Sequence, residues 1–486
     1  MADIKDYPQE PKSLWDAFYE LTRVPRPSKK EELVREYLKG EAQKNGLRFV
    51  EDSVGNIIIY VPGKGGLENR PAVMIQSHMD MVCDKTPEKV IDFEKDPIEI
   101  FVKDGRIFAK DTTLGADNGF GVAASIALIR EKNIAHPPLE LLFTVDEETG
   151  LHGAKNLDKS LFKSRRAINI DTEEWGSIYI GCAGGKDFEL FGSYREVKAS
   201  ENFQACRLVV SGLKGGHSGI DIHRSRGNAI KVLGEVLWTA RTFSYELASF
   251  NGGKAHNIIP RDAEAKILID KKHLSELKRL CEEKVSEVKK YLPSEDHSIG
   301  IQVVEEKQSI AKCFDKAERD RLLSLLTLFP HGAYSYNWHS HEPLVNYSSN
   351  MAQLRLNEGK VYLQTSVRFL DPAETVSIDH KFEALAHLFT LELKKGVGYP
   401  SWKPLFTQNE LLDLTTSLYK EMFGNTPKVK AIHAGLECGI IKDKLQEMQI
   451  ISLGPDISGA HSPTESLDIE TSKKFWKFFT ALLSRM

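Results

Sequence analysis

The chain has 486 residues, of which 41% are apolar and 28% are charged. This composition is typical of a soluble globular protein with two or three domains, and it excludes a disordered chain. The formal net charge of −4 gives no sign of a strongly basic surface, so we expect no nucleic acid among the partners.

The apolar runs are short, and none reaches the roughly 18–20 residues needed to span a bilayer, so we expect no membrane partner. The first residues, MADIKDYPQEP, are polar and acidic and lack the features of a secretory signal. The six cysteines lie far apart and form no C-x-x-C pair, which argues against a disulfide scaffold and a thiolate zinc site. We therefore expect a cytoplasmic protein, in which histidines and carboxylates would hold any metal.

Strand and helix patterns alternate in the first part of the chain. A helical pattern over residues 13–40 is interrupted by Pro25 and Pro27, because proline breaks a helix. Strand patterns follow at 56–61, 71–77, 139–145 and 166–170, with a helix predicted over 119–131. This alternation predicts an α/β fold, with a mixed, mostly parallel sheet flanked by helices.

The pattern changes after the glycine-rich segment 181–185. Alternating strands are predicted at 188–194, 204–211 and 263–270, with helices at 227–245 and 273–291. A segment rich in glycine and proline, 396–404, marks the end of this α+β region, and helix and strand patterns then resume. We therefore predict one domain made of residues 1–185 and 402–486, interrupted by an inserted α+β domain of residues 186–401.

Histidines and acidic residues follow the predicted strands, at the point where each strand ends. The residues at these ends are His78, Asp80, Glu147, Glu148 and Asp171. Ligands of open α/β sheets bind at the carboxyl ends of strands, so we expect these side chains to lie close together. Asp117, at the start of a predicted helix, and His461, in a loop near the carboxyl terminus, complete the candidate set.

Two histidines with several carboxylates and no cysteine suit zinc, cobalt or manganese. Each motif alone has an ordinary structural explanation, such as a helix cap for Asp117. Together the candidate ligands exceed the needs of one tetrahedral ion. They fit two ions that share a bridging carboxylate, typically ~3.5–4 Å apart. The residue pattern therefore favours a dinuclear hydrolase site.

Five motifs, in order and spacing, resemble the aminoacylase/carboxypeptidase-type dinuclear zinc peptidases. They are S-H-M-D (77–80), L-G-A-D-N-G (114–119), D-E-E-T-G (146–150), I-D-T-E (170–173) and G-A-H-S (459–462). The resemblance extends from about Trp15 to the carboxyl terminus. The segments H-A-G-L-E-C-G (433–439) and G-L-K-G-G-H-S-G (212–219) are similar to those of the dipeptidases within this family.

The resemblance implies two Zn²⁺ per subunit, for which Co²⁺ or Mn²⁺ can substitute. Asp117 would bridge the two ions. His78 and Asp171 would complete the ligands of one ion, and Glu148 and His461 those of the other. The Asp117–Asn118 peptide would be cis.

The resemblance also implies the reaction. A water that bridges the metals would attack the scissile carbonyl, with Glu147 as the general base and Asp80 orienting His78 from behind. The expected substrates are dipeptides, including Xaa-His dipeptides such as β-alanyl-histidine (carnosine).

In the family, the inserted domain is a lid, and two subunits form a homodimer through it. His217 resembles the lid histidine that reaches the partner's active site and stabilises the oxyanion. Asn257 and Arg368 resemble residues that contact the substrate, Arg368 through the substrate carboxylate. We expect Gly435 and Glu437 to shape the pocket, and charge complementarity suggests that Glu437 pairs with the substrate's free amino group.

The same motifs are also compatible with other functions. A tripeptide aminopeptidase, a carboxypeptidase or an N-acyl amino-acid deacylase of the same family would use the same metal ligands, because specificity depends on the pocket. A non-catalytic binding protein on a decayed peptidase fold is disfavoured. Every position that the resemblance assigns to a metal ligand or to the general base is occupied by a histidine or an acidic residue.

Overall fold

The computed structural model describes residues 4–307, 310–337, 344–407 and 409–486. The chain forms two compact units. The first contains the residues up to Cys182 together with Pro404–Ala431 and Leu436–Met486, and the second contains Ala183–Lys403 and Ile432–Gly435. Compactness assigns no function to either unit, so the catalytic domain (1–185 and 402–486) and the lid domain (186–401) stay predictions.

The helices and strands of the described residues are numbered in chain order. The helices are α1 (Lys12–Thr22), α2 (Glu32–Lys44), α3 (Ala116–Arg130), α4 (His152–Lys155), α5 (Ala229–Thr239), α6 (Leu274–Val288), α7 (Lys316–Leu328), α8 (Thr375–Phe389), α9 (Glu410–Phe423), α10 (Glu437–Lys444) and α11 (Ile469–Ser484). The strands are β1 (Arg48–Glu51), β2 (Ile57–Val61), β3 (Val73–His78), β4 (Ile100–Lys103), β5 (Arg106–Ala109), β6 (Leu139–Thr144), β7 (Arg166–Asn169), β8 (Ser177–Cys182), β9 (Gly184–Ser193), β10 (Glu196–Lys198), β11 (Gln204–Ser211), β12 (Gly216–His217), β13 (Tyr245–Gly252), β14 (Ile258–Ile259), β15 (Ala263–Ile269), β16 (Gly300–Glu305), β17 (Lys312–Phe314), β18 (Gly332–Asn337), β19 (Leu344–Asn357), β20 (Lys360–Phe369), β21 (Glu392–Lys395), β22 (Lys428–Ile432), β23 (Gln449–Ser452), β24 (Ile457–Ser458) and β25 (Ser466–Asp468).

The first unit is built on an eight-stranded sheet in the order β1-β2-β6-β3-β7-β23-β8-β22. Its central strands β6, β3, β7 and β23 run parallel, while β1, β2 and β8 pair antiparallel with their neighbours. Every residue of β3 and β6 is buried, as expected for strands covered on both faces. The predicted α/β fold with a mixed sheet is therefore confirmed.

The second unit has a different architecture, dominated by an antiparallel sheet. Its strands follow the order β16-β11-β15-β13-β19-β20-β9-β21, and β18 also pairs with β19. Helices α5–α8 contribute buried apolar side chains such as Leu233, Leu326 and Phe382 to one core with the strands. The α+β character expected for the middle of the chain is confirmed.

None of the helices in the described ranges is both long enough and apolar enough to cross a membrane.

Helix α3 lies close to the central sheet because its packing face is made of small residues. If Gly121 had a Cβ atom, this atom would lie only 2.7 Å from the carbonyl oxygen of Ile170 and 2.9 Å from Cβ of Ser77. Glycine at this position therefore permits a close approach of α3 to the ends of β3 and β7. As a result, the first turn of α3, which contains Asp117, lies beside the strand ends.

The role of Gly121 can be tested against a second helical glycine of the same unit. Replacement of Gly121 by alanine forces a methyl group against a backbone oxygen, so we expect the free energy of unfolding to fall by ~1–3 kcal/mol. Gly40 of α2 has no atom within 4 Å of its added Cβ, so Gly40→Ala should raise stability by ~0.5–1 kcal/mol through helix propensity. Denaturant titration of both variants measures the difference. Equal effects would show that α3 can move away from the sheet.

Candidate metal centre

The side chains expected at the site come from several separate elements of the first unit. His78 is the last residue of β3, Asp117 lies in the first turn of α3, and Asp171 follows β7. Glu147 and Glu148 follow β6, and His461 lies in the loop between β24 and β25. The structure brings these residues together at the carboxyl ends of the parallel strands, the position at which open α/β sheets bind ligands.

Three of these side chains form a first group of possible ligands. Nε2 of His78 lies 3.0 Å from Oδ1 of Asp117 and 3.4 Å from Oδ1 of Asp171. Donor atoms from all three residues lie within 4.8 Å of one another, so they can bind one cation. His78 is almost completely buried, and both carboxylates are largely shielded from solvent.

A second group of possible ligands shares Asp117 with the first. Nε2 of His461 lies 3.0 Å from Oδ2 of Asp117 and 3.1 Å from Oε2 of Glu148. The two oxygens of Asp117 therefore face different histidines. A carboxylate placed in this way can bridge two cations, and the imidazole and carboxylate donors fit zinc, cobalt or manganese. His461 is half exposed, so this group is open to solvent on one side.

Asp80 lies behind His78 and is fully buried. Its Oδ1 is 3.3 Å from Nδ1 of His78, on the opposite side of the ring from the possible metal position. A proton on Nδ1 leaves Nε2 free to bind metal, so Asp80 favours the required tautomer. Asp80 also accepts hydrogen bonds from the backbone N–H groups of Glu147 (3.1 Å) and Glu148 (3.3 Å), so one carboxylate orients both the histidine and the acidic turn.

Two supporting residues were not identified from the sequence. Ser28 donates a hydrogen bond of 2.8 Å from Oγ to Oδ2 of Asp80. Asn118 donates one of 2.8 Å from Nδ2 to Oδ1 of Asp171 and is itself held by the N–H of Gly121 (3.1 Å). Asn118 lies within the L-G-A-D-N-G motif, which offered a signal, whereas Ser28 follows the Pro25–Pro27 break with no feature that points to metal. The Asp117–Asn118 peptide is cis, as the family resemblance implied.

The ionisation of Glu147 is strongly perturbed by its surroundings. Burial raises the pKa of Glu147 well above its ordinary value, the charge of His78 opposes this rise, and the negative charge of Asp171 adds to it. Glu147 also lies within reach of His78 and Glu148, beside the two groups of ligands. A carboxylate with a raised pKa at this place can accept a proton and later return it.

The other ionisable groups of the centre show how strongly it attracts positive charge. Burial opposes protonation of His78, yet the charge of Asp171 and a hydrogen bond to Asp117 raise the pKa of His78 well above its ordinary value. Hydrogen bonds to Asp117 and Glu148 raise the pKa of His461 to about 11. Burial also raises the pKa of Asp171 to about 6. The carboxylates of the centre therefore favour positive charge on both histidines.

Glu437, which we expect to shape the pocket, is held by polar side chains of the central sheet. Its carboxylate is fully buried, and Oε2 accepts hydrogen bonds from Nε2 of Gln76 (2.5 Å) and Oγ1 of Thr144 (2.6 Å). Burial raises the pKa of Glu437 to about 7. Gln76 and Thr144 lie at the ends of β3 and β6, so Glu437 belongs to a polar network beneath the centre. Contact with a substrate ammonium stays a prediction, and it would require Glu437 to leave these two donors.

The remaining predicted site residues lie in the second unit. Arg368 is largely buried, with one terminal nitrogen donating to Tyr399 Oη (2.7 Å) and the other 3.3 Å from Nε2 of His217. Both of these contacts are with groups other than carboxylates, and the buried Nε of Arg368 has no hydrogen-bond partner among the described residues, so the guanidinium can bind an anion. The backbone carbonyl oxygen of Asn257 accepts a hydrogen bond from the N–H of Ser218 (2.8 Å), so Asn257 lies beside the segment that contains His217.

Gly435 lies against the ring of Tyr399. A Cβ at this glycine would come within 2.7 Å of a ring carbon of Tyr399, the residue whose hydroxyl contacts Arg368. Any side chain at position 435 would therefore displace the tyrosine.

Comparisons with known proteins identify the family of this chain. The model of peptidase family M20/M25/M40 matches residues 74–485, and the chain belongs to this family. The chain is 35% identical over 477 residues to the cytosol non-specific dipeptidase of Escherichia coli strain K12, a match that covers 98% of both chains.

Solved structures give the same result. The fold is similar to that of aminoacylhistidine dipeptidase from Vibrio alginolyticus, with a TM-score of 0.87, 33% identity and coverage of 100% of this chain and 98% of that one. A tripeptidase from Staphylococcus aureus shares the fold with a TM-score of 0.56 at 16% identity, covering 98% of both chains. The predicted resemblance to the cytosol non-specific dipeptidases, or aminoacyl-histidine dipeptidases, is confirmed.

The protonated histidines lead to a prediction about metal binding. Zinc binds neutral imidazole, whereas the raised pKa values of His78 and His461 favour the protonated rings, so Zn²⁺ competes with protons for both side chains. We expect titration of metal-free protein with Zn²⁺ at pH 7 to release at least one proton per chain. Calorimetry in two buffers of different protonation enthalpy measures this number. The His461→Ala variant should release fewer protons than the unmodified chain on binding Zn²⁺. If the unmodified chain released no protons, the assignment of His78 and His461 as zinc ligands would be wrong.

Proposed function

We propose that this protein is a metal-dependent dipeptidase that contains two divalent cations per subunit. The observation that carries the proposal is the position of Asp117, whose two oxygens face separate groups of ligands, one with His78 and one with His461. Asp171 completes the first group and Glu148 the second. The extensive identity with the Escherichia coli cytosol non-specific dipeptidase supports dipeptides as the substrate class.

Zinc is the proposed cation, with cobalt or manganese as substitutes, and a bound pair would lower the pKa of water and polarise the scissile carbonyl. Glu147 is the general base that removes a proton from the attacking water. When the C–N bond of the peptide breaks, the protonated Glu147 returns this proton to the leaving amine. The burial that raises the pKa of Glu147 supports this role, because it keeps the proton on the carboxyl group between the two steps.

Asp80 acts through other residues in this mechanism. It keeps the proton of His78 on Nδ1 and fixes the backbone of Glu147 and Glu148. Its negative charge also makes the imidazole of His78 a stronger ligand.

We propose that Arg368 binds the substrate carboxylate, supported by its buried Nε, which has no hydrogen-bond partner in the described part of the chain. Asn257, Gly435 and Glu437 are proposed substrate-site residues on the family resemblance. His217 is proposed to stabilise the oxyanion in the active site of the partner subunit, which requires a homodimer formed through the lid domain.

The names of two relatives support a substrate preference and a location for this protein. The Vibrio alginolyticus aminoacylhistidine dipeptidase supports Xaa-His dipeptides, including carnosine, as substrates. The name of the Escherichia coli relative supports a cytoplasmic location.

A substrate panel tests the proposed function. Metal-free protein is reloaded with zinc, cobalt or manganese and assayed with carnosine, other Xaa-His dipeptides, tripeptides and N-acetyl amino acids. We expect activity to disappear with the metal, to return on reloading and to be highest on dipeptides. Full activity in the presence of a strong chelator would rule out the metal mechanism. A preference for tripeptides or N-acyl substrates would instead identify a different peptidase or deacylase.

The adjacent residues Glu147 and Glu148 allow a sharper test of the proposed roles. Glu147→Gln removes the base and leaves both ligand groups intact, so kcat should fall by about 10²–10⁴-fold with unchanged metal content. Glu148→Gln removes a ligand from the group that contains His461, so this variant should bind less metal. Metal analysis and steady-state kinetics separate the two effects. Near-full activity of Glu147→Gln would show that another residue is the base.

A further inference from the structure

Glu465 makes an unusual set of contacts with the loop that leads into α3. It is 2% exposed and lies four residues after His461, directly before β25. Its carboxylate accepts hydrogen bonds from four consecutive backbone N–H groups. Oε2 accepts from Leu114 (2.8 Å) and Gly115 (2.9 Å), and Oε1 accepts from Ala116 (2.7 Å) and Asp117 (3.2 Å).

This arrangement requires a carboxylate. Gly115 has a φ of 69°, in the left-handed region, and the turn it forms directs successive N–H groups toward one point. A carboxylate has acceptor sites for all four donors, whereas the amide of glutamine would oppose two of them with its own N–H groups. Glu465 is therefore matched in charge and in acceptor number to the loop that precedes Asp117.

The same loop is held from its other side by Arg26. This buried guanidinium donates to the carbonyl oxygens of Gly115, Met79 (3.2 Å) and Asp80 (2.9 Å). Arg26 thereby connects the Asp117 loop to the end of β3, which contains His78. Glu465 provides the corresponding connection to the chain segment that contains His461.

The segment between His461 and Glu465 is folded tightly on itself. Oγ of Ser462 donates to the carbonyl oxygen of Gly459 (2.7 Å), and the N–H of Glu465 donates to the carbonyl oxygen of Ser462 (3.0 Å). Fixing Glu465 against the Asp117 loop therefore also fixes His461 relative to Asp117. The other contact of His461 within the centre is with Glu148.

We propose that Glu465 is a positioning residue for one half of the metal centre. It holds His461 beside Asp117, so that the group of Asp117, Glu148 and His461 is assembled before a cation binds. The group of His78, Asp117 and Asp171 depends less on Glu465, because His78 and Asp171 follow strands of the central sheet and Arg26 supports the loop independently. This inference rests on the proposed dinuclear centre.

Titration with Co²⁺ of the full-length, metal-free protein, followed by visible absorption, tests the proposal. The unmodified chain should bind two Co²⁺. In Glu465→Gln we expect the affinity for one Co²⁺ to fall at least tenfold, while the affinity for the other stays within about twofold. Wild-type affinities for both ions in Glu465→Gln, or an equal loss of both, would overturn the proposal. Fewer than two Co²⁺ bound by the unmodified chain would contradict the dinuclear function itself.

Glu140 supplies a matched control. It is also buried, and its carboxylate accepts from the N–H groups of Lys163 (2.8 Å) and Ser164 (3.1 Å) and from Oγ of Ser164 (2.6 Å). These contacts lie near the beginning of β6 and β7, at the opposite ends of the strands from the metal centre. Glu140→Gln should therefore leave both Co²⁺ affinities unchanged, and selective loss of one Co²⁺ in this control would overturn the assignment to Glu465.

A second variant keeps the test valid if Glu465→Gln does not fold. Gly459 is exposed and has a φ of 68°, and a Cβ there would lie 2.9 Å from Oγ1 of Thr464. Gly459→Ala should therefore disturb the segment from His461 to Glu465 without touching the Asp117 loop. The expected result is again weaker binding of one Co²⁺ only. Unchanged binding of both ions in Gly459→Ala would count against a positioning role for this segment.

Discussion

Several buried carboxylates lie together at one edge of the central sheet and repel one another. The surrounding structure must hold them close in spite of this repulsion. Ligand atoms of Asp117 lie within 4.8 Å of those of Asp171 in one group and of Glu148 in another, and Glu147 lies equally close to Glu148. Buried charges of one sign are costly unless cations neutralise them. The surrounding carboxylates raise the pKa of both histidines, which favours protons on them, and two divalent cations would neutralise the cluster more completely.

Hydrogen bonds between backbone amides and buried side chains keep this cluster in place. Asp80 accepts from the backbone of the acidic turn, Asn118 donates to Asp171, and Glu465 accepts from the loop before Asp117. Each interaction fixes a ligand through its neighbours, so the ligands need little rearrangement to bind a cation. Such preorganisation is what a catalytic metal centre requires, because a misplaced ligand weakens both binding and reactivity.

Much of the centre could be predicted from the sequence, because the carboxyl ends of parallel strands meet at one edge. That rule alone places His78 near Asp171, and the family motifs add Asp117 and His461. The contacts of Glu465 could not be predicted, since they join backbone groups about 350 positions away in the chain. The burial of Glu437 is a second feature that could not be predicted, because it depends on the packing of α10, which no local pattern indicates.

Anomalous diffraction from crystals grown with Zn²⁺ would show whether Asp117 bridges two cations. We expect two zinc peaks per chain, each about 2.0–2.2 Å from a different oxygen of Asp117. One peak should have His78 and Asp171 as further ligands, and the other Glu148 and His461. A single zinc peak, or two peaks of which only one contacts Asp117, would exclude a bridging role for this carboxylate.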